Sequence, residues 1–271
     1  MKWTVFLLLA TGFVTSWVGC GNSPTNPNSS GWVEVTAHAP FSTRYGLSGT
    51  VFNNLMWVIG GTNNVNSFAS DVWYSGDGGS WKRATANAPF GGRYGSQVLS
   101  YNGKIWLIAG NSNCTFMNDV WNSSDGVSWS LVTPAAAFSP REDFGAVVFD
   151  DGSGPKMWVI GGWPGPNKND VWNSSDGITW NQVTANSGIP PRWGFDLVVY
   201  NNALWALGGA YGGLPTTLTC SPNAPVSAYS DIWTSNNGVG WVQILATEPF
   251  TTTYYLQSVT NNNEIWTTGG Y

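Results

Sequence analysis

The chain has 271 residues, 42% of them hydrophobic and 9% charged, which supplies a large core and excludes an intrinsically disordered chain. Its net charge of −5, with ten Lys and Arg in all, leaves no basic run to neutralise a phosphate backbone, which speaks against nucleic-acid binding. The 34 glycines and 18 tryptophans, with few runs of good helix formers, point instead to many short strands joined by tight turns.

Residues 1–20 differ from the rest: Lys2 is followed by an apolar run from Val5 to Val18, then Gly19 and Cys20. This reads as a secretory signal, too short and wrongly flanked for a membrane span. The ending Val18-Gly19-Cys20 resembles the bacterial lipoprotein cleavage box, with Trp17 where a leucine usually stands three positions before the cysteine. That resemblance implies that Cys20 carries lipid, that the membrane is met through this anchor alone, and that the protein works outside the cytoplasm, in the cell envelope or secreted. Residues 21–31, polar and rich in Pro, Asn and Ser, then read as a flexible tether. Cys114 and Cys220 remain as a pair that an oxidising compartment allows to form a disulfide, or as two free thiols.

From residue 32 onward the chain repeats. Asn118–Trp129 (NDVWNSSDGVSW) returns almost unchanged as Asn169–Trp180 (NDVWNSSDGITW). Aligned on its Asp-Val-Trp, the unit occurs four times, at Asp71, Asp119, Asp170 and Asp231, with a second tryptophan eight residues later at Trp81, Trp129, Trp180 and Trp241. Upstream lie an apolar strand closing on small residues (MWVIGG, IWLIAG, MWVIGG, LWALGG) and a strand opening on Arg44, Arg93, Arg141 or Arg192, spaced 49, 48 and 51 residues apart. A period near 50 with four short strands per unit predicts the blades of a β-propeller over residues 32–271. The apolar strands suit burial on both faces between neighbouring sheets. The Asp-Gly in NSSDGVSW predicts a type I′ hairpin turn, and the paired tryptophans are expected to wedge adjacent blades together.

The Arg-initiated strand, the strand ending in Gly-Gly and the Asp-Val-Trp with a later Trp resemble kelch repeats, which implies an all-β propeller of four-stranded blades. SSDGVSW also resembles the Asp-box hairpin of sialidases, one residue shorter, a structural element in that family. At the N-terminus, Trp32 with VEVTAHAPF matches Trp81 with KRATANAPF, so the chain is expected to start with a lone fourth strand. At the other end TYYLQSVTNNNEIWTTGGY supplies two strands of a fifth unit, so the expectation is a truncated reading of a ring with five or more blades.

Alternating strand direction puts the inter-blade loops and the loops after each Gly-Gly on one face of the ring. That face gathers Arg44, Tyr45, Arg93, Tyr94, Arg141, Glu142, Asp143, Arg192 and Trp193, with Thr253-Tyr254 in the incomplete unit. Arginine forks and flat rings there suit an anionic or sugar ligand. The alternative is that each arginine belongs to the repeat and holds the inter-blade turn by hydrogen bonds to carbonyls. Glu142 and Asp143 stand where the first two units have Tyr and Gly, a departure that the scaffold did not require. They are either solvated surface acids or the acid and base of an enzyme. The long insertion Ala210–Ser230 is a candidate lid or a surface decoration.

Kelch propellers include copper oxidases, but His38 is the sole histidine, which argues against such a metal site. Asp150–Lys156 (DDGSGPK) reads as a hairpin turn rather than a calcium loop, and no phosphate loop, zinc set or serine elbow appears, so no cofactor is expected. Kelch-type sialic-acid epimerases and sialidases remain a possible enzymatic resemblance. The sequence thus supports an extracytoplasmic binding module for a glycan or an envelope protein, against a carbohydrate-active enzyme or a structural spacer.

Overall fold

The computed structural model describes residues 33–64, 67–165, 167–212, 226–246 and 254–270. Among them no helix forms. The chain folds into four antiparallel four-stranded sheets, arranged as the blades of a β-propeller, with a two-stranded fifth and two short two-stranded ribbons, Thr62–Asn64 with Ser67–Phe68 and Ala210–Gly212 with Val226–Ala228. Blade 1 comprises Ser48–Phe52, Leu55–Ile59, Val72–Ser75 and Trp81–Thr85; blade 2, Gln97–Tyr101, Lys104–Ser112, Thr115–Ser123 and Ser130–Thr133. Blade 3 comprises Gly145–Asp150, Pro155–Gly162, Lys168–Ser174 and Asn181–Thr184; blade 4, Asp196–Tyr200, Ala203–Leu207, Ile232–Ser235 and Val242–Leu245. Leu256–Asn261 and Glu264–Gly269 form the fifth sheet.

The second strands are buried on both faces, as their unbroken apolar runs require: Val58, Ile59, Leu107, Ile108 and Val159 are fully enclosed. The core therefore lies between blades. Ile105 and Leu107 of blade 2 pack with Trp57 and Ile59 of blade 1, and Met157 and Val159 of blade 3 pack with Trp106 and Ile108 of blade 2.

The two tryptophans of each unit clasp the segment arriving from the previous blade. Phe90 meets Trp121 and Trp129 at ring-centroid distances of 6.4 and 5.1 Å, and Phe138 meets Trp172 and Trp180 at 6.5 and 4.9 Å, each edge-on. Such contacts add about 0.5–1.5 kcal/mol beyond area burial. Each indole also finds its acceptor: Trp121 donates to Asp119 Oδ2 at 2.7 Å and Trp129 to the Gly126 carbonyl at 3.1 Å.

Two expectations change. The Asp-Gly loops are not type I′ turns, because only the glycine adopts positive φ, +73° at both Gly126 and Gly177. Instead Ser123 Oγ accepts the Gly126 N–H at 2.8 Å while Asp125 Oδ1 accepts the N–H groups of Val127 and Ser128, both at 2.8 Å. This wraps the loop around two side chains. The glycine is required twice, since a Cβ on Gly126 would lie 2.1 Å from the Trp57 ring of the preceding blade. Pairs of positive φ occur instead in the first hairpins, at Asn53-Asn54, Asn102-Gly103, Asn201-Asn202 and Asn262-Asn263, as type I′ geometry demands.

The second change is at the N-terminus, where the described residues 33–47 form no strand. A fourth strand needs a third to bond to, and the fifth sheet presents two strands among the described residues. Phe41 nonetheless takes the place that Phe90 and Phe138 take elsewhere, 5.7 Å from Trp73 and 5.4 Å from Trp81.

Candidate functional site

Each strand-opening arginine makes the same latch inside its own blade. Arg141 donates from Nη1 to Asp170 Oδ1 and from Nη2 to Asp170 Oδ2, at 2.9 and 2.8 Å, and also from Nη1 to the Gly161 carbonyl at 2.9 Å. Arg192 repeats this with Asp231 and Gly208, Arg93 with Asp119 and Ala109, and Arg44 with Asp71 and Gly60. The aspartate is the one whose second oxygen takes the Trp indole. Burial pushes Asp170 up, but the Arg141 hydrogen bonds and charge, with the Trp172 indole, outweigh it and hold the carboxyl below its ordinary value. Arg44, Arg93, Arg141 and Arg192, candidates for ligand contact from sequence, therefore turn their forks onto their own blade; their side chains are 0–4% exposed.

The next residue in each blade behaves differently. Tyr45, Tyr94, Glu142 and Trp193 pair through the backbone with Thr62, Asn111, Trp163 and Ala210, the residue just after each small-residue pair. Directly opposed residues of an antiparallel pair point to the same face, which sets Asn111 beside Tyr94 and Trp163 beside Glu142. Asn111 Nδ2 indeed donates to Tyr94 Oη at 3.1 Å.

One residue further, a run of backbone bonds links the blades along an inner arc: N–H groups of Gly95, Asp143, Gly194 and Tyr255 donate to the carbonyls of Gly46, Gly95, Asp143 and Gly194 at 2.9, 2.9, 2.8 and 2.6 Å. Every member is left-handed, with φ of +60° at Gly46, +62° at Gly95, +52° at Asp143, +60° at Gly194 and +60° at Tyr255. Three are glycine; Asp143 and Tyr255 carry side chains at a strain of roughly 1–2 kcal/mol each. Those two side chains meet, the Tyr255 hydroxyl donating to Asp143 Oδ2 at 2.7 Å. The room they use is created by glycine, because a Cβ on Gly95 would lie 2.8 Å from Asp143 Oδ1 and 3.0 Å from Glu142 Cβ.

Glu142 is fully buried, and no hydrogen bond reaches either carboxylate oxygen. Burial, then the charge of Asp143, pushes its carboxyl well up, tempered by the nearby Asn111 amide and Tyr94 hydroxyl. Burial likewise raises Asp143 against the Tyr255 hydrogen bond. Tyr94 and Tyr255 are driven up by burial and then by the two acids, so both phenols stay neutral. Around them Phe68 stacks on Tyr94 at 5.7 Å, and Trp193 meets Tyr254 and Tyr255 at 5.3 and 5.6 Å. The Trp163 indole N–H is buried without an acceptor.

The structure thus brings together Tyr45, Tyr94, Glu142, Asp143 and Trp193 from the sequence candidates and turns the arginines away. Sequence reasoning missed Asn111, Trp163 and Tyr255. The first two were readable as the residues after the small pairs, and Tyr255 as the residue that fills the glycine column in TYYL. Asp150–Lys156 forms a hairpin turn in which Asp150 Oδ1 accepts the N–H groups of Gly152 and Gly154, and no cluster of metal-ligating side chains occurs among the described residues. Cys114 is disulfide-bonded. Cys20, Cys220 and most of the Ala210–Ser230 insertion lie outside the described residues.

Blades, register and ring define a β-propeller. The solved structure of YjhT matches this chain with a TM-score of 0.69 at 19% identity, covering 87% of this chain and 79% of that one, a likeness that speaks for the fold alone. No protein-family model and no curated protein matches the sequence.

Proposed function

We propose that the chain is a kelch-type propeller acting outside the cytoplasm, held by lipid on Cys20, as a module that binds a glycan at the inner ring. One observation carries this reading: at the ring position where blades 1 and 2 have Tyr-Gly, blade 3 places two buried carboxyls, Glu142 and Asp143, among aromatic side chains. Carboxylates accept hydrogen bonds from sugar hydroxyls, and the partly exposed rings of Tyr45 and Tyr254 nearby suit the apolar faces of a pyranose. Strained left-handed backbone at Asp143 and Tyr255 is the kind of cost that persists where it positions a site.

The test is a glycan-array assay on the full chain beside Glu142→Gln and Asp143→Asn. The expected outcome is retention of a defined glycan class, lost by about tenfold or more in both variants while thermal unfolding stays cooperative. Failure to retain any glycan would refute the reading and make an envelope protein the partner to seek. The raised carboxyls also favour a second reading, a carbohydrate-active enzyme with Glu142 or Asp143 as proton donor. Chemical change in the retained glycan on incubation would establish it.

A further inference from the structure

We propose that the Glu142–Asp143 site selects a ligand bearing a positively charged ammonium group, which on the glycan reading above means an amino sugar with a free amine. The sugar rests on that reading; the ammonium rests on the charge balance of the ring.

The other acids withdrawn from solvent, buried or half-buried, are provided for within the protein. Asp71, Asp119, Asp170 and Asp231 each hold an arginine fork and an indole, and Asp196 accepts the backbone N–H groups of Ser258 and Leu197. Glu142 has neither kind of partner: it is 0% exposed, only the neutral Asn111 amide and Tyr94 hydroxyl lie near its oxygens, and its chain neighbour is a second buried acid. Among the described residues no Lys, Arg or His pairs with either carboxyl. The groups facing the two acids are Tyr94 and Asn111 beside Glu142 and Tyr255 on Asp143, with Tyr45 packed against Tyr94, all of them neutral. The nearest arginines along the chain, Arg93 and Arg141, are committed to Asp119 and Asp170. Two adjacent carboxylates without a counter-cation cannot both ionise when buried, so they retain a proton until a cation displaces it.

The indole of Trp163 supplies an independent pointer to a ligand. It is 8% exposed, its N–H has no acceptor, and backbone pairing puts it on the face of the blade that carries Glu142. An N–H so placed donates to a ligand oxygen, while an ammonium gives its protons to the carboxylates and sits against the rings of Tyr94, Trp163, Trp193 and Tyr255. A hydrated metal ion is served less well, since it wants about six oxygens and meets an aromatic wall here. A sugar carboxylate would bring a third acid to a site whose arginines face elsewhere.

The experiment is isothermal titration of the full chain with a glucosamine oligosaccharide, its N-acetylated form and a uronate oligosaccharide, with tetramethylammonium as a probe of fixed charge and calcium as the competing cation. Each is run at pH 5 and pH 7, beside Glu142→Gln. The expected result is that the free-amine sugar binds about tenfold or more tightly than its N-acetylated form, more tightly at pH 7 than at pH 5, with the preference abolished by Glu142→Gln. Equal affinity for the amine and N-acetylated forms, or a stronger uronate, would overturn the ammonium inference while glycan binding stood. Binding of tetramethylammonium without any oligosaccharide would uphold the cation site and sink the glycan reading. Glu142-dependent calcium binding without the amines would replace the ammonium by a metal, and no binding at all would remove both.

Discussion

Arg141 and Glu142 are neighbours in the chain and both are fully buried, yet their surroundings are opposite. Arg141 meets an aspartate, a backbone carbonyl and the face of Phe138; the aspartate and carbonyl return at Arg44, Arg93 and Arg192, with Phe41, Phe90 and Tyr229 supplying the ring. Glu142 meets another acid, two phenols and an amide, and nothing like it occurs in blades 1, 2 or 4, where tyrosine or tryptophan followed by glycine holds the position. A buried charge that recurs with its partner in every blade holds that blade together. One that occurs once, unpartnered, belongs to whatever the ring does.

The largest expected effect comes from breaking the recurring member. Arg141→Ala leaves Asp170 half-buried beside Trp172 with Lys168 as its remaining nearby positive charge, and removing one partner of a buried pair costs up to about 3–5 kcal/mol. Urea unfolding of the variant should show a midpoint lowered accordingly, with Glu142→Gln close to the parent. Equal losses in the two variants would dissolve the distinction between latch and site.

Asp196 sharpens the comparison from a third direction, as an unrepeated buried acid that does have donors. It links blade 4 to the fifth sheet through Ser258, and burial pushes it from 3.8 up to about 7 against those hydrogen bonds. Because the folded form holds its proton more tightly than the unfolded chain, this group's contribution is fully present below about pH 4. It is lost as pH rises to about 7 and is constant beyond, a swing on the order of 4 kcal/mol. Asp196→Asn cannot ionise and keeps an oxygen for only one of the Ser258 and Leu197 N–H groups, which Asp196 accepts on different oxygens, so it adds a pH-independent loss. Unfolding free energies measured from pH 4 to pH 8 should therefore fall with pH in the parent and flatten in the variant; parallel curves would show that Asp196 titrates normally.

The same contrast governs what the sequence could reveal. The blades were legible because each repeats its apolar strand, its small-residue pair and its two tryptophans, so period and packing are written four times over. The Asp-Gly loop was misread because Ser123 and Asp125 satisfy its N–H groups with side chains, chemistry that a dipeptide rule does not see. The arginines read either toward a ligand or as repeat members bonded to carbonyls, and no pattern of spacing chose between them or stated that Arg141 reaches Asp170, 29 positions on. Glu142 and Asp143 were flagged as departures from the repeat, whereas the bond between Asp143 and Tyr255 depends on how successive blades curve toward one another, which a linear reading does not supply.

Asp143→Gly makes the smallest expected change and tests the ring position itself. It gives blade 3 the residue that Gly46, Gly95 and Gly194 supply at the same left-handed φ. Strain of roughly 1–2 kcal/mol is relieved and a buried acid is removed, while the Tyr255 hydroxyl loses a hydrogen bond worth about 0.5–1.5 kcal/mol and the unfolded chain gains freedom. These terms offset, so the unfolding free energy should move by less than about 1 kcal/mol in either direction. A loss of several kcal/mol would mean that the Tyr255–Asp143 bond is structural, as the arginine latches are. Unchanged stability with loss of ligand would mean that blade 3 keeps its strained aspartate for the site alone.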